Sequence, residues 1–66
     1  MKTYKITCPD TGEVYTCRTK RLKTVAVIAD LYGGGRSASF YKNEASMKTQ
    51  LKYMTNAVIV RQVEAV

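Results

Sequence analysis

Sixty-six residues, 45% of them hydrophobic and 24% charged, describe one small globular domain spanning residues 1–66 and argue against both a second domain and a disordered tail. Eleven Lys and Arg against five Asp and Glu leave a net charge of +6, which favours anionic partners. No apolar run approaches the roughly 20 residues of a membrane span, and Met1-Lys2-Thr3-Tyr4 opens a strand-like pattern rather than a signal-peptide core, so a cytoplasmic protein without membrane contact is expected.

The run TYKITCPDTGEVYTCR holds two β-rich segments flanking Pro9-Asp10-Thr11-Gly12, where an early Pro and a final Gly suit a hairpin loop. Pairing Cys8 with Glu13 sets Ile6 opposite Tyr15 and Tyr4 opposite Cys17. Tyr4, Ile6, Cys8, Tyr15 and Cys17 then share an apolar face. Thr3, Lys5, Thr7, Val14, Thr16 and Arg18 form the wet one.

From Lys20 to Tyr32 the spacing of Leu22, Val25, Ala26, Ala29 and Tyr32 predicts a helix, with Thr19 as N-cap and Gly33 as C-cap. Val27 and Leu31 lie off that stripe, which leaves an apolar surface for a second packing partner. After Gly33-Gly34-Gly35, the segment SASFYK reads either as a short strand or as an ordered loop anchored by Phe40. Asn43 caps a second helix from Glu44 to about Thr55, with Met47, Leu51 and Met54 inward, Lys48, Gln50 and Lys52 outward, and Asn56 closing it in a left-handed conformation. The final AVIVRQVEAV is apolar on both faces at Val58, Ile59 and Val60, as in a strand away from a sheet edge. The expected fold class is therefore α+β: an N-terminal β-hairpin, two helices and a C-terminal strand, forming an open antiparallel sheet with the helices on one face.

Three glycines before Arg36 invite comparison with a phosphate cradle, but such loops follow a strand and open a helix, and here they follow the predicted helix. A cap plus a slack corner is the simpler reading. Ala29, Gly33 and Phe40 give the region a faint resemblance to a helix-turn-helix over roughly a quarter of the chain. The run of glycines and the poor helix former RSASFYK argue against it. RTKRLKT is a better candidate, because it crowds Arg18, Lys20, Arg21 and Lys23 at the start of the predicted first helix, where the dipole discourages cations and a bound phosphate would welcome them. The plain alternative is a solvated turn whose side chains lean away. Tyr41 beside Lys42 and Tyr53 beside Lys52 could stack on unpaired bases.

Cys8 and Cys17 are not cross-strand partners in this register, and two thiols without any histidine cannot complete a zinc site, so free buried thiols and no metal or cofactor are expected. Of the acids Asp10, Glu13, Asp30, Glu44 and Glu64 only Asp10 and Glu13 are neighbours, on an exposed turn, and Ser37 and Ser39 have no evident base. Nothing here suggests an enzyme. The function expected is a basic nucleic-acid-binding accessory or regulatory protein, holding DNA or RNA with low sequence specificity through Lys5, Arg18, Lys20, Arg21, Lys23 and Arg36. The alternative, suggested by size and texture, is a protein-binding inhibitor or adaptor of the kind phages and mobile elements encode. It would dock on an acidic surface of a host or nucleic-acid-handling protein, or on a second copy of itself, through Val27, Leu31, Tyr32 and Tyr41.

Overall fold

In the computed structural model, which describes residues 1–66, the first hairpin pairs β1 (Lys2–Thr7) with β2 (Val14–Thr19) in the expected register, Tyr4 facing Cys17 and Ile6 facing Tyr15. The Cys8 N–H donates to the Glu13 carbonyl at 2.7 Å, and Gly12 turns the chain at a φ of 79° that other residues rarely adopt. Tyr4, Ile6 and Cys8 are buried, whereas Thr7, Val14, Thr16 and Arg18 on the opposite face are exposed.

The next segment departs from expectation. No helix forms over Lys20–Tyr32; Val25–Asp30 is a strand, β3, paired antiparallel with β4 (Arg36–Tyr41) from Val25 opposite Tyr41 to Asp30 opposite Arg36. SASFYK is thus largely strand. The physical reason lies in VAVIAD itself: its apolar residues fill every position up to Ala29, so three- and four-residue spacings occur by default and do not identify a helix. Its β-branched Val25, Val27 and Ile28 suit a strand covered on both sides, and burying each contributes about 1.5–3 kcal/mol. Thr19 caps no helix; its hydroxyl accepts from the Arg21 N–H in a turn at 3.2 Å. Nor is Gly33 a helix C-cap. Gly33, Gly34 and Gly35, all at positive φ, make the β3–β4 turn, closed by the Leu31 N–H donating to the Gly35 carbonyl at 2.9 Å.

One helix is present, α1 (Glu44–Leu51), and the Asn43 side chain accepts from the Ser46 N–H at 2.9 Å, as its N-cap position predicts. Met47 is buried inward, and Lys48, Gln50 and Lys52 are exposed. The helix stops at Leu51, short of Thr55, with Lys52 as its C-cap. Asn56 does adopt a left-handed conformation at φ 54°, but inside β5 (Thr55–Val60). There the register against β3 slips between Ile28 and Asp30, and the Asn56 amide donates to the Asp30 carboxylate at 2.7 Å. The last segment breaks in two. β5 pairs with β3, whereas β6 (Glu64–Ala65) crosses to pair with β1.

The architecture is therefore two three-stranded antiparallel sheets, ordered β2-β1-β6 and β4-β3-β5, with one helix, and the expected single open sheet under two helices is corrected. The β4-β3-β5 sheet is the middle layer. Ala26, Ile28 and Val60 on one face pack with Ile6 and Cys8 of the first sheet, with Tyr15, Ala38, Phe40 and Val58 around them. Val25 and Val27 on the other face pack with Met47 of α1, with Tyr41, Leu51, Met54 and Ile59 around them. β5 is an edge strand apolar on both faces because a layer covers each face. The central position belongs to β3. No helix is long and apolar enough to cross a membrane.

Candidate functional site

The chain leaves β2 at Thr19 and crosses to β3 through the Lys20–Thr24 segment. Two hydrogen bonds fix its far end: the Thr24 N–H donates to the Tyr41 carbonyl at 2.9 Å, and the Thr24 hydroxyl donates to the Lys42 carbonyl at 2.7 Å. They bring the RTKRLKT cluster against the end of β4 and the start of α1. An open groove of ≈ 720 Å³ results, lined by Arg21, Leu22, Lys23, Phe40, Tyr41, Lys42, Asn43 and Ser46.

The helix expected to begin at Arg21 and Lys23 does not form; the two instead line a groove beside the start of α1. Lys42, Asn43 and Ser46 join them from a segment about 20 residues away in sequence, and the β3–β4 pairing of Val25 with Tyr41 is what brings them there. Leu22, expected in the core, is 62% exposed on the groove. Phe40 and Tyr41 are half-buried, one packed toward each face of the middle sheet, and both residues line the groove.

The ionic pairs divide the cations. Lys5 lies 3.5 Å from Glu64, and the Arg61 Nε donates to the Glu44 carboxylate. Arg36 stands 3.9 Å from both Glu13 and Asp30, its Nε buried without a hydrogen-bond partner. Lys2, Arg18, Lys20, Arg21, Lys23, Lys42, Lys48 and Lys52 stand in no ion pair, and among the acids only Asp10 does the same.

The unpaired cations are also sorted in space. Lys2 pairs with Thr19 at the end of the first sheet, so Lys2, Arg18, Lys20, Arg21, Lys23 and Lys42 gather at one end of the molecule. The hairpin turns carrying Asp10, Glu13 and Asp30 lie at the other end, joined through Arg36. Lys5 and Arg36 consequently separate from the expected cluster: Lys5 lies on the first sheet neutralised by Glu64, and Arg36 lies the length of β4 away, roughly 17 Å at the usual rise per strand residue. At the basic end Glu44 is the one acid. The hydrogen bond and charge of Arg61 hold its carboxyl below the ordinary carboxylate range, so it stays ionised and occupied.

A second hollow, ≈ 240 Å³, is lined by Lys5, Ile6, Thr7, Pro9, Ile59, Val60, Arg61, Gln62 and Glu64. Its two cations are both paired with carboxylates, which leaves little pull on an anion. The expected partner-facing residues also separate. Val27 is fully buried under Met47 and has no surface to offer, a correction that follows from β3 being the central strand. Leu31 is exposed and Tyr32 fully so, at the tip of the glycine turn, remote from Tyr41 at the other end of the β3–β4 hairpin.

Tyr53 is covered in part by its neighbour, the Lys52 ammonium standing 5.1 Å from the ring centroid. Cys8 is buried and Cys17 half-buried, both as free thiols. The Thr11 hydroxyl, then the Thr11 backbone, hold the Cys8 thiol below its ordinary value against the opposing effect of burial. Burial, then the hydrogen bond to Glu13, raises the Tyr15 phenol. Both groups sit near the Pro9–Gly12 turn, away from the groove. Comparison with protein-family models, with curated proteins and with solved structures finds no match for this chain.

Proposed function

We propose that this chain is a small non-enzymatic nucleic-acid-binding accessory or regulatory protein, holding DNA or RNA with low sequence specificity through phosphate contacts at its basic end. One observation carries the reading: six of the eight cations that stand in no ion pair lie toward one end of the molecule, Arg21, Lys23 and Lys42 among them lining an open groove, while the acids are paired or lie at the opposite end. Such a field orients the molecule as it approaches a polyanion and leaves Arg18, Lys20, Arg21, Lys23 and Lys42 free to replace condensed counterions. Lys5 and Arg36 take structural places in this scheme.

The test is binding to mixed-sequence DNA and RNA at two salt concentrations. Four or five phosphate contacts predict a fall in affinity on the order of 100-fold between about 50 and 200 mM salt. Affinity that holds steady across that range contradicts the phosphate-contact reading.

A second reading draws on the other end of the molecule. Leu31 and Tyr32, exposed on a turn of glycines, have the form of an apolar anchor for a protein partner, as an inhibitor or adaptor would use. It involves none of the groove residues, so substitutions at Tyr32 and at Arg21 separate the two.

A further inference from the structure

The groove differs from a plain basic patch in what lies between its cations. Leu22 is exposed among Arg21, Lys23 and Lys42, and the half-buried Phe40 and Tyr41 line the same space. A leucine held in water among charges forgoes the stabilisation that burial would supply, and neither core cluster includes it. Its backbone neighbourhood is fixed, because Thr24 ties the segment to Tyr41 and Lys42 through two hydrogen bonds. Leu22, two residues before this anchor, lines the groove.

We infer that the groove takes an unpaired segment of nucleic acid, with Arg21, Lys23 and Lys42 on its phosphates and Leu22, Phe40 and Tyr41 against the faces of one or two bases. This inference rests on the nucleic-acid reading above and narrows its ligand. In a duplex the base faces are stacked on one another and only phosphates and base edges are offered, so a duplex would meet the cations and leave Leu22 in water. An unpaired strand offers a charged backbone and apolar base faces together, which is the combination of side chains on this surface. The groove is open, about 720 Å³, with room for a few nucleotides. The Asn43 side chain already satisfies the Ser46 N–H, so the helix start adds polar groups at the rim and is not itself the phosphate site. Because base faces are shared by all four bases, little sequence preference follows.

The experiment compares fluorescence anisotropy of the whole chain on labelled single strands of about 20 nucleotides, DNA and RNA, with the matching duplex, at about 50 mM salt. The expected result is single-strand binding at least about tenfold tighter than duplex binding, with Leu22→Ser weakening the single strand about fivefold or more, leaving duplex affinity and the salt slope unchanged. Leu22 lies outside both core clusters, so this variant is expected to fold, and its circular dichroism checks that. Duplex binding as tight as single-strand binding overturns the inference, and so does a Leu22→Ser variant that binds the single strand as well as the parent does. A poly-glutamate peptide that competes as well as the single strand also overturns it, by showing that charge alone is read. Absence of binding to either nucleic-acid form removes the phosphate-contact reading and this inference with it.

Discussion

The double variant Arg21→Glu/Lys23→Glu is expected to weaken nucleic-acid binding by about 100-fold or more at moderate salt. Each phosphate that the protein ceases to neutralise lowers the salt slope by about one, and reversal adds repulsion where there was attraction. Both side chains line the groove, and neither is in an ion pair, so the change removes no internal partner. Lys48→Glu/Lys52→Glu makes the same change in net charge on the exposed face of α1, outside the groove. If binding tracks net charge alone, the two double variants weaken it equally. Localised contacts predict that the helix variant loses less than about fivefold, a residual long-range effect that salt screens. The pair of titrations, with folding of each variant checked by circular dichroism, separates a site from a diffuse field.

Ile28→Ala carries the largest expected effect on stability. Ile28 is fully buried at the centre of β3, packed among Ile6, Cys8, Ala26 and Val60. Truncating a buried isoleucine to alanine costs about 2–5 kcal/mol, whereas a domain of this length holds only about 3–10 kcal/mol in total. The variant is therefore expected to lose about half of the total stability, seen as a large fall in its urea midpoint. Leu22→Ala should change stability by less than about 0.5 kcal/mol, since its side chain is largely in solvent. Urea denaturation of the two variants measures the contrast. A helix over Lys20–Tyr32 with Leu22 on its inward stripe would reverse the order, so a severe Leu22→Ala and a mild Ile28→Ala would contradict the central-strand assignment of Val25–Asp30.

That reversal shows where the sequence is informative and where it is not. The β1–β2 hairpin is legible down to its register because one face of its sheet is wet, so alternation survives, and because Pro9 to Gly12 marks the turn. The start of α1 is legible because Asn43 is a cap by side-chain chemistry alone. β3 is not, because burial by the first sheet on one side and by α1 on the other erases the alternation from which a strand is read. The glycines cannot arbitrate: both a helix C-cap and a tight hairpin turn require positive φ, and Gly33 to Gly35 satisfy either. The brevity of VAVIAD and its β-branched residues are the signal that favours a strand.

The candidate site follows the same division. Arg18, Lys20, Arg21 and Lys23 are visible as a run of charge in the sequence. Lys42, Asn43 and Ser46 are not, because they reach the cluster only through the β3–β4 pairing, and a helical reading of Val25–Asp30 hides that pairing. Leu22 looks like a core residue for the same reason. Lys5 and Arg36 look like free cations, since a sequence does not show that Glu64, Glu13 and Asp30 stand beside them.

A two-dimensional amide NMR titration of the labelled protein with a short oligonucleotide locates the bound strand on the molecule. The largest shift changes are expected on Arg18 to Thr24 and on Phe40 to Ser46, with the Leu31–Gly35 turn unmoved. Shift changes confined to Leu31, Tyr32 and the adjoining glycines, or spread evenly over Lys48, Lys52 and the outer face of the first sheet, would contradict that placement.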